Sequence, residues 1–126
     1  MPELNTEIYA KELYSRVGSA TLLNRATIAG GDWEPQANMC HHNVTICCEL
    51  KPEYTPVRGW LYFELPGASF VKFVAHSAVR TPDGELYDIT PSNASQDYPF
   101  VDGGLSEDQY SELVDKNNTT KIHCNK

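Results

Sequence analysis

The chain has 126 residues, of which 40% are hydrophobic and 21% are charged. This length and composition predict one globular domain over residues 1–126, and exclude a disordered chain or a small scaffold that depends on disulfides. Ten basic against seventeen acidic residues give a formal net charge of −7, which disfavours nucleic acid and anionic membrane surfaces as partners.

Two helices are predicted in the N-terminal half of the chain. The first spans about residues 6–18, with Asn5 or Thr6 as its N-cap and apolar residues at helical spacing along one face. The second follows a loop rich in Gly and Pro, has Asn38 as its N-cap and ends before Pro52. The apolar face of this second helix is formed by Cys40, Val44, Cys47 and Cys48.

Three consecutive antiparallel strands are predicted after the second helix. In residues 57–65 one set of side chains occupies the odd positions and another set the even positions, which is the period of two of a strand. Residues 69–80 are rich in β-branched and aromatic side chains. A Thr-Pro-Asp-Gly turn then leads into a strand over 85–90, which completes a hairpin. The predicted fold class is α+β, with the helix that carries Cys40 packed on an antiparallel sheet of at least three strands.

The C-terminal region contains one predicted helix. Residues 91–104 are predicted as loop. Ser106 lies three residues before Gln109, which is the spacing of a capping box, so a third helix is expected over about 107–116. No structure is assigned to the tail that follows.

Cys40 is the candidate nucleophile, because the start of a helix favours an anion and lowers the pKa of a thiol. Gln36 and Asn38 precede it and are candidates to stabilise an oxyanion together with the Cys40 backbone N–H. A thiol nucleophile also needs a base and a group that orients the base. His76 and Asp88, on the second and third predicted strands, are the candidates for these two roles.

The hairpin geometry tests whether His76 and Asp88 can meet. With a three-residue loop over 82–84, Thr81 pairs with Glu85, and the residue numbers of facing pairs sum to 166. His76 and Asp88 are then diagonal neighbours on one face of the sheet. A two-residue loop would place them on opposite faces. The hypothesis therefore requires an odd-length loop, and Pro-Asp-Gly suits one.

Four short segments carry a resemblance to a known superfamily. They are Asn38-Met-Cys40-His-His-Asn43, Gly59-Trp60, His76-Ser77 and Asp88-Ile-Thr-Pro91. In order, spacing and element type, they resemble the papain-like superfamily in its minimal form, which is shared by transglutaminase-like proteins, cell-wall peptidases of the NlpC/P60 type and bacterial glutamine-deamidase effectors. They are also similar to a group of short bacterial and phage proteins.

The resemblance implies a papain-like core and thiol-dependent hydrolysis of an amide bond, without a cofactor or metal. It assigns Cys40 as nucleophile, His76 as general base and Asp88 as the group that orients the imidazole, with a thioester intermediate. The implied substrate is a peptide or protein amide, and the implied reaction is that of a peptidase, an amidase or a glutamine deamidase. The superfamily has a small or aromatic residue after the cysteine, where this chain has His41.

Two other classes of function stay open, beside a purely structural role for these residues. One is a non-catalytic protein-binding module, such as an immunity or phage accessory protein, that presents an acidic surface to a basic partner. The other is a zinc-binding protein, although no CxxC or HxxxH spacing supports it. Its ligands would come from Cys40, His41 or His42, His76, His123 and Cys124.

The neighbouring histidines His41 and His42 are not assigned to the site. Adjacent residues on a helix point about 100° apart, so both cannot face one site. We expect both side chains to be solvated, or one of them to line the entrance of a cleft.

The sequence also bounds the compartment. No apolar run reaches the roughly 18 residues of a membrane span, and the N-terminus lacks the basic and then apolar pattern of a signal peptide. We therefore expect no membrane partner and a cytoplasmic protein, or one delivered into a host cell by a non-classical route.

Overall fold

The strands of this protein form one mixed sheet with helices packed on it. The computed structural model describes residues 5–28, 30–64, 66–92 and 98–126. Within these ranges the sheet has six strands. They are β1 (Asn24–Arg25), β2 (Thr55–Glu64), β3 (Phe70–Arg80), β4 (Leu86–Asp88), β5 (Phe100–Asp102) and β6 (Lys121–Asn125). The predicted α+β class is confirmed.

The helices lie where the sequence predicts them, and two of them continue as non-α turns. Helix α1 spans Thr6–Ser15 and is followed by a 3₁₀ turn at Val17–Ser19. Helix α2 spans Cys40–Leu50. Helix α3 spans Glu107–Ser111 and continues as a π-helical turn over Glu112–Lys116.

The helix caps follow the predictions in two cases out of three. The side chain of Asn5 accepts a hydrogen bond from the backbone of α1, and the capping box of Ser106 and Gln109 is present at α3. The predicted N-cap of α2 is wrong, because Met39 occupies that position. Asn38 adopts the left-handed conformation, with φ of 63°, and turns the chain into the helix instead of capping it.

The sheet order is β1-β4-β3-β2-β5, and β6 pairs with the first half of β3. The three predicted strands correspond to β2, β3 and β4, and the pairs between them are antiparallel, as expected. The complete sheet is mixed, because β1 runs parallel to β4. The last residue of the predicted strand 57–65, Leu65, lies outside the described residues.

The hairpin of β3 and β4 has the predicted register. Val79 faces Tyr87, so facing residue numbers sum to 166. The Thr81 N–H donates to the Glu85 carbonyl at 2.9 Å, and Gly84 has φ of 90°, the left-handed conformation that this loop requires. The three-residue loop is confirmed.

Strand β4 is shorter than the predicted strand over 85–90. The carboxylate of Asp88 accepts a hydrogen bond from the Thr90 N–H at 3.1 Å. This Asx turn directs the chain away from the sheet and ends the pairing at Asp88.

Three strands, β1, β5 and β6, were not predicted. Strand β5 lies in the segment 91–104 that was expected to be loop, of which residues 93–97 lie outside the described part of the chain. Strand β6 lies in the tail, where Ile122 and Cys124 are buried and their neighbours are exposed. Their alternation is the signal that would have identified this strand.

The core is divided by the sheet, because side chains alternate between the two faces of β3. Val79 packs against Val44 of α2 on one face, while Ala78 belongs to a separate cluster. Ser77 therefore points toward α2, and His76 points to the opposite face. The expected packing of the Cys40 helix on the sheet is confirmed.

The largest cluster of buried side chains joins α1, α3 and β6 to the face of the sheet that bears Trp60. Its members include Tyr9, Leu13, Trp60, Val71, Phe73, Tyr110, Leu113 and Ile122. Trp60 and Phe73 are fully buried, so these clusters hold β2 and β3 rigidly against the helices.

Candidate active site

A cavity of about 350 Å³ opens beside the first turn of α2. Its polar lining includes Asn38, Cys40, His76, Asp88 and Thr90. Its apolar lining includes Leu23, Leu61, Phe63, Pro91 and Tyr98. The cavity therefore brings together the three residues expected to carry the chemistry, next to an apolar wall.

Cys40 is the first residue of α2 and is half-buried. The left-handed turn at Asn38 directs the chain so that the helix begins at the cavity. The unpaired N–H groups of the first helical turn favour an anion at this position. The sequence predicted this placement.

His76 and Asp88 are hydrogen-bonded across the β3–β4 hairpin. His76 Nε2 lies 3.0 Å from Asp88 Oδ2, and both side chains are largely buried, with 13% and 11% exposed. Burial raises the pKa of Asp88, but the hydrogen bond and charge of His76 outweigh it and hold that pKa below its ordinary value. Asp88 is therefore an anion that fixes the ring of His76, and it leaves Nδ1 as the nitrogen available to Cys40.

The Cys40 thiol is hydrogen-bonded to both His76 and His41. Burial raises the pKa of Cys40, but these two imidazoles outweigh it and lower that pKa to about 6. Burial likewise lowers the pKa of His76, but Asp88 and Cys40 raise it to about 9. Between these two values the pair is a thiolate beside an imidazolium.

The other two cysteines of α2 have the opposite electrostatics. Burial raises the pKa of Cys47, and it raises the pKa of Cys48 to about 11. Cys47 packs in the core with Val44 and Val79. Cys40 is thus distinguished from its helix neighbours by the imidazoles around it, since all three thiols experience burial.

Asn43 holds the wall of the cavity together, and sequence reasoning missed it. Its side chain is fully buried and bonds both backbone groups of Gln36, at 3.0 Å to the N–H and 2.8 Å to the carbonyl. It also donates to Thr90 Oγ1 at 3.0 Å. Asn43 therefore ties the loop before Cys40 to the segment after Asp88. No pattern in the sequence reveals these partners.

The two oxyanion candidates lie in different places. Asn38 lines the cavity beside Cys40. Gln36 is exposed, and its side-chain amide donates to the Glu34 carbonyl at 3.2 Å. The contribution of Gln36 is instead its backbone, which Asn43 clamps.

Of the two alternatives expected for the neighbouring histidines, the one in which both are solvated is wrong for His41. Its ring is half-buried, stacks edge-on against Tyr110 and places Nδ1 2.6 Å from Ser77 Oγ. His42 is exposed, as expected. Both residues border a second cavity beside α3. The prediction that two adjacent helix residues cannot both face one site is therefore wrong for this cavity.

Arg58 supports His41 from β2. Its guanidinium donates to Ser77 Oγ and to the His41 carbonyl, each at 3.0 Å, and pairs with Glu107 at 2.9 Å. The Arg58 side chain is 11% exposed. These partners are distant in sequence, so the sequence could not identify them.

The candidate zinc ligands of the tail, His123 and Cys124, lie away from Cys40, His41 and His76. Within the four described ranges, no group of three or more His, Cys, Asp or Glu side chains is arranged to hold a metal ion. His123 and Cys124 lie on β6, which pairs with the other end of β3 from His76. His123 packs against the ring of Phe70.

Comparisons with protein-family models, with curated proteins and with solved structures found no significant match. Among the described residues, no helix is both long and apolar enough to cross a bilayer.

Proposed function

We propose that this protein is a cysteine hydrolase with a papain-like core, which cleaves amide bonds with Cys40, His76 and Asp88. The observation that carries the proposal is the position of His76, which binds Asp88 through Nε2 at 3.0 Å and is hydrogen-bonded to the Cys40 thiol. A nucleophile, a base and an orienting carboxylate in this chain of contacts are the groups that nucleophilic catalysis requires. The adjoining cavity gives a substrate access to the thiol.

The first half of the reaction forms a thioester. The Cys40 thiolate attacks the amide carbonyl carbon, and the carbonyl electron pair moves to oxygen. The His76 imidazolium then gives its Nδ1 proton to the amide nitrogen as the C–N bond breaks, and an amine or ammonia leaves. Asp88 keeps the ring oriented and stabilises its positive charge throughout.

The second half of the reaction hydrolyses the thioester. Neutral His76 takes a proton from water, whose oxygen attacks the thioester carbon. The C–S bond breaks, a carboxylic acid leaves, and the thiolate and imidazolium are restored. The N–H of Cys40 at the start of α2 and the side chain of Asn38 are the donors we assign to the oxyanion in both halves.

The apolar wall of the cavity defines the part of the substrate next to the amide. Leu61 and Phe63 lie on β2, and the ring of Tyr98 packs against Phe63 at a centroid distance of 3.9 Å. A volume of about 350 Å³ suits one large side chain and not an extended ligand. We propose a peptide or protein substrate that inserts an apolar side chain, or the aliphatic part of a glutamine, against this wall.

An acyl donor of simple structure tests the mechanism before the natural substrate is known. The full chain is mixed with p-nitrophenyl acetate, and acetylation is located by tandem mass spectrometry. We expect a burst of one equivalent of p-nitrophenol, acetyl on Cys40 and continued turnover. The Cys47→Ala variant should behave like the wild type, and the Cys40→Ala variant should show no burst.

The result that would refute the mechanism is an absence of acetyl transfer to Cys40, or a Cys40 acetyl group that water does not remove. Either result would favour the protein-binding alternative. Glutamine-containing peptides then separate the reaction types, because a deamidase releases ammonia and a peptidase releases new amino termini.

A further inference from the structure

We propose that His41 is a second catalytic imidazole, a neutral donor whose Nε2–H holds the sulfur of Cys40 while His76 carries the mobile proton. This inference rests on the proposed function, since it assigns a role at the same thiol. It assigns different roles to the two histidines, because His41 is bound to Ser77 and His76 is bound to Asp88.

The partners of Ser77 determine which nitrogen of His41 carries the proton. Arg58 is a donor without acceptor capacity, so at 3.0 Å its Nη1–H must donate to Ser77 Oγ. Ser77 is fully buried, and the acceptor that the described residues offer to its hydroxyl proton is His41 Nδ1, at 2.6 Å. An unpaired buried hydroxyl proton would be costly. Nδ1 is therefore an acceptor, and the ring proton lies on Nε2.

The same contacts direct the donor toward Cys40. With Nδ1 engaged by Ser77, Nε2 is the nitrogen left for the thiol, to which His41 is hydrogen-bonded. The edge-on contact with Tyr110, at 5.7 Å between ring centroids, fixes the plane of the ring. Arg58 also holds the His41 carbonyl at 3.0 Å. The ring is thus fixed at its backbone, at Nδ1 and at its face.

The two imidazoles differ in the charge of their partners. His76 is bound to the carboxylate of Asp88, which stabilises a positive ring and suits it to accept and return a proton. His41 is bound to the hydroxyl of Ser77, which accepts a hydrogen bond from the cationic Arg58. His41 Nδ1 faces a hydroxyl where His76 Nε2 faces a carboxylate, so we assign His41 the role of a fixed donor to the sulfur and His76 that of the proton carrier.

The groups around the sulfur come from four elements. They are His41 on α2, His76 on β3, Tyr110 on α3 and, beyond Ser77, Arg58 on β2. Burial, and next the charge of Cys40, raise the pKa of Tyr110 well above its ordinary range, so its hydroxyl stays neutral. Burial apart, the groups that lower the pKa of the Cys40 thiol are therefore the two imidazoles, and Tyr110 adds no charge beside them.

A pair of amide substitutions separates the two ring positions of His41. The amide of His41→Gln reaches the position of Nε2, while the shorter amide of His41→Asn reaches only that of Nδ1. Alkylation of Cys40 by iodoacetamide at pH 5.5 should slow about three- to tenfold in the Asn variant and should recover in the Gln variant, because a donor to a charged group favours the charged form. His42→Asn, on the same helix and exposed, is the matched control and should react like the wild type.

A direct measurement on the unaltered chain complements these variants. Long-range proton–nitrogen correlation spectra of the ¹⁵N-labelled protein at neutral pH should show His41 protonated at Nε2 and bare at Nδ1. A proton on Nδ1 would overturn the inference, whatever the variants do.

The alkylation rates distinguish failure of this inference from failure of the proposed function. Wild-type rates in both His41 variants, with a slow His76→Ala variant, would overturn the role of His41 and leave the hydrolase mechanism standing. Equally slow Gln and Asn variants with the wild-type melting temperature would also overturn it. Wild-type rates in the His41 variants and in His76→Ala would overturn both.

Discussion

Replacing His76 with alanine should shift the reactivity of Cys40 in a way that depends strongly on pH. In the wild type, burial opposes ionisation of Cys40, and the two imidazoles still lower its pKa to about 6 from an ordinary value of 9.0. The His76→Ala variant keeps the burial and loses the positively charged partner. We therefore expect the Cys40 pKa to return to its ordinary value or above it.

The size of the effect follows from the fraction of thiolate and from its nucleophilicity. At pH 5.5 the thiolate fraction falls from about a quarter to about 0.03%, roughly 800-fold. The more basic thiolate gains about 20-fold in intrinsic reactivity, so alkylation slows about 40-fold. At pH 7.5 the same arithmetic leaves a difference of only about a factor of two. The acid range is thus the one that reports on the coupling.

The assay is the rate of iodoacetamide labelling at Cys40 between pH 5 and 9, read by tandem mass spectrometry. Cys47 and Cys48 serve as internal references, because burial raises the pKa of both thiols and their labelling should be slow in both proteins. His123→Ala removes an exposed histidine on β6 and should leave the profile unchanged. A His76→Ala profile that superimposes on the wild type at pH 5.5 would refute the coupling.

Three further predictions concern stability. Burial raises the pKa of Asp88, but His76 holds it below its ordinary value. Asp88 therefore stabilises the fold above about pH 4, and this contribution is lost as the pH falls further. Urea titrations of Asp88→Asn should show a smaller loss of stability between about pH 5 and 2 than the wild type, and an equal loss would contradict the assignment. Asn43→Ala should lower the free energy of unfolding by about 2–4 kcal/mol in urea at pH 7.5, because it leaves buried polar groups unpaired; a loss below 1 kcal/mol would count against the clamp. Gly59→Ala places a Cβ against the Val101 carbonyl, so thermal melting should reveal a loss of about 1–3 kcal/mol or more, while Gly18→Ala, whose Cβ meets nothing within 4 Å, should be nearly neutral.

The contact between His76 and Asp88 could be predicted from the sequence because one local feature determines it. Pro82-Asp83-Gly84 forms a three-residue loop, and the loop length sets the register of the hairpin. The side-chain period of two then places both residues on one face. Cys40 was predictable because the loop before α2 and the apolar face of the helix locate its start to within a residue or two, although Asn38 turns the chain and does not cap the helix.

The roles of Asn43 and His41 could not be predicted, because their partners come from distant segments. Asn43 contacts Thr90, which is 47 residues away, and His41 contacts Ser77, which is 36 residues away. An asparagine or histidine inside a helix has no local pattern that distinguishes a solvated side chain from a clamp. Ser77 likewise has no pattern that distinguishes it from the other residues of β3, whose side chains alternate between the two faces of the sheet.

The short strands were missed for a different reason. Strands β1 and β5 have two and three residues, too few to show a period. Their pairing depends on the neighbours that the sheet supplies, as when Trp60 of β2 faces Val101 of β5. Such pairing is set by tertiary structure and not by the propensity of the segment.

The most direct test of the account is a joint titration of Cys40 and His76 in one sample. The protein is labelled with ¹³C in cysteine and ¹⁵N in histidine, and the Cys40 Cβ and His76 ring signals are followed between pH 5 and 10. We predict that Cys40 ionises near pH 6 and that His76 keeps both ring protons until near pH 9, so thiolate and imidazolium coexist at pH 7.5. A neutral thiol beside a neutral imidazole at pH 7.5, with Cys40 ionising near its ordinary value of 9.0, would contradict it.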